Sequence, residues 1–210
     1  MSAIEYVDIL TPPHFEPSGE TKPVRQAVDE GNWLGAINLW IVRPGPALIY
    51  QERPAGGWAP GKLDGSVAGY YRAGESGLDG LREAEEELGK DYARADIMAV
   101  GRRLNVGVDS KGRERRTVVG IYMISDDLPL TSFKLDPAEV PAIYEIPVED
   151  ILAAFGDPGS TITVRGINGE GVLIERQVTC EDVSYMWDGY HPKIAALAKR
   201  YAAGERGFEY

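Results

Sequence analysis

The chain alternates short apolar runs with segments rich in glycine and proline, which is the pattern of β-strands joined by turns. The two clearest runs predict strands over residues 34–42 and 48–52, joined at Pro44-Gly45-Pro46. By the same criterion, shorter strands are predicted over residues 5–10, 67–71, 97–106, 117–125 and 142–146. The polar stretch 11–22 predicts a loop, and Asp109-Ser110-Lys111-Gly112 predicts a turn between two of the later strands.

Helical periodicity occurs in fewer places, and these give the chain its α/β character. Helices are predicted over residues 23–30, 78–89, 148–155 and 192–203. The segments 161–164 and 172–178 flank Asn168-Gly169, which is typical of a β-hairpin. The pattern therefore predicts an α/β core followed by a hairpin and a terminal helix.

The predicted helix 78–89 concentrates carboxylates on one side. On a helical projection, Glu83, Glu86 and Glu87 share one face, while Glu85 falls nearer the apolar edge. The apolar face is formed by Leu81, Ala84 and Leu88. Like charges at these spacings repel each other, whereas a divalent cation would turn the repulsion into coordination because hard cations prefer carboxylate oxygen. The alternative is a solvated acidic face.

A glycine-rich turn precedes this helix. Residues 69–89 read GYYRAGESGLDGLREAEEELG, and here the chain resembles the Nudix family. The signature of that family is Gly, five residues, Glu, seven residues, then Arg-Glu-apolar-x-Glu-Glu-x-Gly and an apolar residue. The matching positions are Gly69, Glu75, Arg82, Glu83, Ala84, Glu86, Glu87 and Gly89. Two departures are the six residues between Glu75 and Arg82, and Lys90 at the final apolar position.

The resemblance covers roughly residues 5–155. It implies a Nudix-type α/β/α sandwich with a mixed β-sheet, followed by a small C-terminal extension made of a hairpin and a helix. We expect an N-terminal extension over residues 1–33 that packs on the core, a Nudix core over 34–157 and the C-terminal extension over 158–210.

One branch of the family is suggested by the segment before the signature. Residues 60–69 read PGKLDGSVAG and are similar to the branch that includes isopentenyl diphosphate isomerase. Isomerase chemistry would require a cysteine just before Gly69 and a histidine just after it, but this chain has Ala68 and Tyr70 there. Its one cysteine is Cys180, far along the chain. An isomerase is therefore the least favoured alternative.

The resemblance implies metal-dependent hydrolysis of a diphosphate linkage in a small substrate of the nucleoside-diphosphate-X type, by attack of water on phosphorus. The implied metal ligands are Glu83, Glu86, Glu87 and the backbone carbonyl of Gly69. Mg²⁺ is the expected ion, with Mn²⁺ as the alternative. Arg82 is expected to orient one of the glutamates through a charge-assisted hydrogen bond. The substrate-binding residues and the identity of X stay open.

A base must accept a proton from the attacking water. In the family it comes either from the signature helix or from a distant loop. Together with Arg82, the catalytic candidates are Glu86 on the helix and Glu139 on a loop, where the alternative for Glu139 is a solvated carboxylate. Glu114 is a weaker candidate because three arginines surround it, and this patch either binds a substrate phosphate or is an exposed strand end. The arginines are Arg113, Arg115 and Arg116.

A nucleotide-binding module that does not cleave its ligand is the alternative from another class of protein. The three clustered carboxylates argue against it, since a module of that kind does not need them. The short spacing between Glu75 and Arg82 is the feature in its favour.

Composition narrows the partners. The 33 acidic and 22 basic residues give a formal net charge of −11, which argues against nucleic acid because phosphate backbones need basic surfaces. One cysteine, no signal peptide and no apolar run of membrane-spanning length predict a cytoplasmic protein without a membrane partner. The expected partner is a small diphosphate compound, and a homodimer is left open.

Overall fold

The computed structural model describes residues 4–56, 58–108, 112–184 and 188–210. The strands are β1 (Tyr6–Thr11), β2 (Glu16–Pro23), β3 (Trp33–Arg43), β4 (Ala47–Glu52), β5 (Leu63–Asp64), β6 (Val67–Tyr70), β7 (Met98–Val108), β8 (Glu114–Ser125), β9 (Ala142–Pro147), β10 (Ile162–Asn168) and β11 (Leu173–Val178). The helices are α1 (Val24–Asp29), α2 (Arg82–Leu88), α3 (Val148–Gly156) and α4 (Tyr190–Ala202). None of the helices in these ranges is long and apolar enough to cross a membrane.

The strand β3 organises a mixed sheet. It runs parallel to β8 from the pair Trp33–Arg116 to the pair Val42–Ser125, and antiparallel to β4 and β6. The remaining strands are antiparallel to their neighbours, in the order β11-β10-β9-β4-β3-β1-β2, with β7 on the outer side of β8. The residues of β3 are buried on both faces because helices cover both sides of this part of the sheet.

Two apolar layers confirm the expected α/β/α sandwich. Leu39 and Ile41 of β3 face one layer, where they pack with Ala84 and Leu88 of α2. The alternate residue Trp40 faces the opposite layer, which is built with α3 and α4. The signature helix therefore lies on one face of the sheet and the C-terminal helix on the other.

The C-terminal hairpin continues the main sheet. Strand β10 pairs antiparallel with β9 from Asn168–Ala142 to Arg165–Glu145, and β11 pairs with β10. The helix α4 buries its apolar side in the same core that holds Trp40. The expected hairpin and helix are thus present and are continuous with the core, while the domain boundaries at 33 and 157 stay a prediction.

Three local predictions differ from the structure or lie beyond it. The predicted loop 11–22 is wrong, because Glu16–Pro23 forms β2 and pairs with β1. Its polar sequence lies mostly exposed at the edge of the sheet, so no hydrophobic alternation marks it. The predicted helix 78–89 begins with a 3-10 turn over Gly77–Leu81 and becomes α-helical at Arg82. The predicted turn at 109–112 falls on residues 109–111, which lie outside the described residues.

Candidate active site

Three carboxylates converge beside the edge of β6. Oxygen atoms of Glu83, Glu87 and Glu139 all lie within 4.8 Å of one another. Glu83 and Glu87 are only 8% and 6% exposed, whereas Glu139 lies at the surface. An arrangement of this kind costs free energy unless a positive charge joins it, and its oxygen donors suit a hard divalent cation.

The packing of α2 on the sheet directs two of these carboxylates toward β6. Ala84 and Leu88 are fully buried against the sheet, which turns the opposite side of the helix toward β6. The helix ends at Gly89, whose φ of 63° is the left-handed conformation that glycine adopts readily. The spacing of the signature therefore fixes both the length of α2 and the direction of Glu83 and Glu87.

The loop that follows Phe133 brings the third carboxylate to the first two. The backbone N–H of Lys134 donates to Leu88 O at 2.9 Å, and that of Asp136 donates to Glu87 O at 3.0 Å. These bonds satisfy carbonyl groups at the end of α2 that have no partner within the helix. Since the loop is attached to the helix end, Glu139 lies next to the side chain of Glu87.

Gly69 makes room for this cluster on β6. A Cβ atom at Gly69 would lie 2.7 Å from Cγ of Glu83 and closer still to its carboxylate. On the neighbouring residue, the N–H of Ala68 donates to Glu87 Oε2 at 3.4 Å. The glycine is thus required by the close approach of a side chain, while the role of its carbonyl as a metal ligand stays a prediction.

Arg82 joins the glycine turn to the helix. Its Nε donates to Glu75 Oε1 at 2.7 Å, and its Nη1 donates to Glu83 Oε1 at 2.7 Å. A third bond runs from Nη2 to Tyr70 O at 3.0 Å. One guanidinium group therefore holds β6, the turn and the helix together. The six-residue spacing leaves the contact between Glu75 and Arg82 in place.

Glu86 lies apart from the carboxylate cluster. Its Oε2 accepts hydrogen bonds from Arg72 at 3.0 Å and from Arg82 at 3.3 Å. The side chain is 42% exposed. The structure thus groups Glu83 and Glu87 with Glu139, and it directs Glu86 toward the two arginines. The metal-ligating and catalytic roles of Glu86 stay a prediction.

The surroundings of the cluster disfavour the ionised form of its three carboxyl groups. Burial raises the pKa of Glu83 to about 7, against the attraction of Arg82. Burial and the neighbouring charge of Glu83 raise the pKa of Glu87 well above its ordinary value. The pKa of Glu139 is raised by burial and by Asp136. All three shifts have the sign expected where burial of a carboxylate outweighs the attraction of nearby arginines.

Lys90, the second departure from the signature, is accommodated at a buried position. The residue is 7% exposed, and its ammonium group donates to Ser132 Oγ at 2.8 Å and pairs with Asp126 at 3.2 Å. The same group lies 4.2 Å from the centre of the Phe133 ring. The aliphatic part of the side chain takes the apolar position while the charge is paired.

A cleft of about 220 Å³ opens on the other face of β6, toward α4. Its floor consists of residues that point to one side of four adjacent strands. They are Ala36 and Asn38 on β3, Ala68 and Tyr70 on β6, Thr117 and Val119 on β8, and Arg103 and Asn105 on β7. Arg53, Trp58, Asp64 and Tyr190 contribute to the walls. The cleft therefore shares β6 with the carboxylate cluster.

The three arginines around Glu114 do not form one patch in the structure. Arg113 pairs with Asp29, and Arg116 pairs with Glu114. Arg115 instead lines the cleft and donates to the Tyr70 hydroxyl at 3.3 Å. Alternation along β8 causes this division. The carboxylate of Glu114 lies outside the cluster of three.

Several cleft residues were not singled out from the sequence. Arg53, Asp64 and Arg103 are isolated polar residues in otherwise apolar or looped segments, and their common location depends on the register of distant strands. Of the aromatic residues near the signature, Trp58 and Tyr70 line the cleft, while Trp33 packs against Phe15 with ring centres 4.8 Å apart and the rings tilted by 58°.

Comparisons with known proteins agree with this architecture. No family model matches the chain. A protein of Clostridium acetobutylicum described as an uncharacterized Nudix hydrolase is 29% identical over 163 residues, which is 74% of this chain and 75% of that protein. Nudix hydrolase 3 of Arabidopsis thaliana is 29% identical over 175 residues. The match covers 80% of this chain but only 22% of the Arabidopsis protein.

A solved structure supports the fold. The protein DR0079 of Deinococcus radiodurans superimposes with a TM-score of 0.58 at 18% identity, over 72% of this chain and 89% of that one. The signature, the carboxylate geometry and the curated relatives all make this chain similar to Nudix hydrolases. The expectation of a Nudix enzyme is confirmed at this level. The narrower resemblance to the isomerase-like branch stays a prediction.

Proposed function

We propose that this protein hydrolyses the diphosphate linkage of a small nucleoside-diphosphate-X compound with the help of a divalent cation, Mg²⁺ or alternatively Mn²⁺. The observation that carries the proposal is the convergence of Glu83, Glu87 and Glu139 within 4.8 Å. These three side chains would hold the cation, with Glu86 and the Gly69 carbonyl as further candidate ligands. When bound, the cation supplies neutralisation of phosphate oxygens and acidification of a water molecule.

The residues of the chain have separate tasks in this proposal. Arg82 holds Glu83 in place through its bond of 2.7 Å and so positions a ligand. Glu139 is less buried than the other two carboxylates and has a raised pKa, so it is suited to accept the proton of the attacking water. Arg53 reduces the pKa shift of Glu87 and lines the adjoining cleft, where it can neutralise a phosphate.

The alternatives have less support. The short signature spacing favoured a module that binds without cleavage, yet Glu75 contacts Arg82 at 2.7 Å. For an isomerase, Ala68 and Tyr70 stand where a cysteine and a histidine would be required. A cytoplasmic location belongs to the proposal as well and rests on the free, buried Cys180. A small molecule is the proposed partner, and the oligomeric state stays open.

The test is nucleotide or phosphate release from a panel of diphosphate compounds with Mg²⁺. The wild type is compared with Glu83→Gln, Glu87→Gln, Glu86→Gln and Glu139→Gln. Glu85→Gln is the matched control, because Glu85 is exposed on the same helix and outside the cluster. We expect about 100-fold or greater loss in Glu83→Gln and Glu87→Gln, and activity near that of the wild type in the control. Magnesium-dependent binding without turnover would reject the hydrolase hypothesis in favour of the binding module.

A further inference from the structure

The cleft beside the carboxylate cluster is unusually cationic for this chain. Its described lining contains three guanidinium groups, Arg53, Arg103 and Arg115, and one carboxylate, Asp64, and Arg103 also pairs with Asp188. The protein as a whole carries a formal charge of −11. Arginines that line a concave surface attract anionic groups, because the low-dielectric walls focus their field.

The arginines differ in their distance from the place where a diphosphate would be bound. Arg53 lines the cleft, and its Nη1 lies 4.0 Å from Asp64 Oδ2. Arg115 lies five residues before Gly120, the residue of β8 that is level with Gly69 across the sheet. Five residues of a strand correspond to roughly 16 Å, which is more than the reach of an arginine side chain. Arg115 therefore serves a different part of a ligand from the part that meets the carboxylates.

Arg103 is held in the cleft by the C-terminal helix and the residues just before it. Its guanidinium pairs with Asp188 and lies 4.2 Å from the centre of the Tyr190 ring. Tyr190 is itself fixed, since its hydroxyl donates to Asn38 and accepts from Trp40 Nε1 at 2.9 Å. The backbone of Arg103 on β7 lies three strand spacings from β6, roughly 14 Å. The Arg103 guanidinium, which lies over the Tyr190 ring, is therefore held on the α4 side of the sheet, opposite α2.

We propose that the group X of the substrate occupies this cleft and carries a negative charge of its own, bound by Arg115 and Arg103. The ligand class is a nucleotide-type diphosphate with an additional phosphate or carboxylate on the far side from the metal ligands. This inference rests on the proposed function for the position of the diphosphate, but the charge preference can be measured without turnover.

The experiment uses matched compounds that differ by one anionic group. Coenzyme A and dephospho-coenzyme A form one pair, and NADPH and NADH another, each differing by a phosphate. UDP-glucuronate and UDP-glucose differ by a carboxylate. Dissociation constants are measured by calorimetry for the wild type and for the double variant Glu83→Gln, Glu87→Gln, in which two of the repelling charges are removed and turnover is not expected.

We expect at least one pair to show about tenfold tighter binding of its more anionic member. The phosphate and carboxylate pairs then tell which group is preferred. Arg115→Gln should reduce this preference to about twofold or less, and Arg115→Lys should keep most of it. Arg165→Gln is the control, because Arg165 is 81% exposed on β10 and pairs with Glu175. Thermal unfolding of each variant verifies that it is folded.

Equal binding within all three pairs, or no binding of any compound, would overturn the inference. A preference that survives both Arg115→Gln and Arg103→Gln would overturn it as well. Hydrolysis of the panel without a charge preference would leave the proposed function standing and remove only this inference. A charge preference without hydrolysis would support the cleft and reject the hydrolase.

Discussion

The two faces of the sheet both bury ionisable groups, but in opposite ways. On the α2 face, Glu83 and Glu87 are buried next to each other; burial raises the pKa of each, and the charge of Glu83 adds to the shift of Glu87. On the α4 face, His191 is fully buried and its ring nitrogens lie 2.6 Å from Ser184 O and 3.3 Å from the Tyr50 hydroxyl. Because a carbonyl oxygen only accepts, Nε2 carries the proton and Nδ1 accepts from Tyr50.

This contrast distinguishes a candidate site from a buried core. Burial alone perturbs a pKa in both places, so a perturbed value does not identify function. The histidine is neutral and has a partner for each nitrogen, which makes it compatible with a stable core. The three carboxylates of the cluster are like-charged and converge on one point, and Arg82 pairs with only one of them, Glu83. The close approach of like charges, rather than burial alone, marks the candidate site.

The largest effect is expected from a methyl group placed between β6 and α2. Gly69→Ala puts Cβ into the space of the Glu83 side chain, so the cluster cannot keep its geometry. We expect hydrolysis to fall about 1,000-fold, which corresponds to about 4 kcal/mol of transition-state stabilisation. Steady-state kinetics would measure it. Gly56→Ala is the control, because no atom lies within 4 Å of a Cβ at Gly56. Activity within threefold of the wild type in Gly69→Ala would contradict the close approach.

The pH dependence of stability tests the opposite face. Burial lowers the pKa of His191 from 6.5 to about 4. Between these values the unfolded chain binds the extra proton, so the stability contributed by the neutral histidine is present above pH 6.5 and is lost as the pH falls toward 4. The loss should reach up to about 3 kcal/mol, measured by urea unfolding.

The two histidines of the chain provide the comparison for that measurement. His191→Gln should flatten the dependence in this pH window relative to the wild type. His14→Gln, at an exposed position, should leave it as it is. If the free energy of unfolding depends on pH in the same way in the wild type and in His191→Gln, the pKa of His191 is not lowered in the folded protein.

A smaller effect is expected from metal binding to the carboxylates. Mg²⁺ at about ten times its dissociation constant should stabilise the folded protein by about 1.4 kcal/mol, or roughly 3–6 °C in Tm. Glu87→Gln should lose this shift and Glu85→Gln should keep it, since only Glu87 belongs to the cluster. Sodium chloride of equal ionic strength controls for screening. An equal shift in both variants would place the metal elsewhere.

The smallest effect concerns a single hydroxyl group on the α4 face. Tyr50→Phe removes the partner of His191 Nδ1, which lies 3.3 Å away. The buried nitrogen is then unsatisfied, and we expect a loss of about 1 kcal/mol in the free energy of unfolding with no change in metal response. Tyr6→Phe, 49% exposed, is the matched control. A reduced metal response in Tyr50→Phe would show that the two faces are coupled.

Local patterns predicted the parts of the site that are local in sequence. The 3.6-residue period placed Glu83 and Glu87 on one face, and the apolar residues of α2 are buried as that period requires. The glycine at 69 followed from the signature, and the structure supplies its reason in the side chain of Glu83. The strands β3, β4 and β8 followed from their apolar runs.

The remaining parts depend on contacts between distant segments. Glu139 joins the cluster because backbone groups at 134 and 136 cap the end of α2, which no periodicity reveals. The cleft combines Arg103 and Arg115 through the register of β7 and β8 with β3. The strand β2 was missed because its side chains face solvent, so pairing there is set by backbone bonds rather than by burial.

The participation of α4 in the central core has a consequence for biosynthesis. The layer around Trp40 is completed by residues as late as Tyr201 and Phe208, and Tyr190 fixes the side chains of the cleft. All three carboxylates of the cluster have been synthesised once the chain reaches Glu139, whereas the opposite layer still lacks the residues of α4 at that point. The wall of the cleft that Tyr190 forms can therefore be added only after the carboxylates have been synthesised.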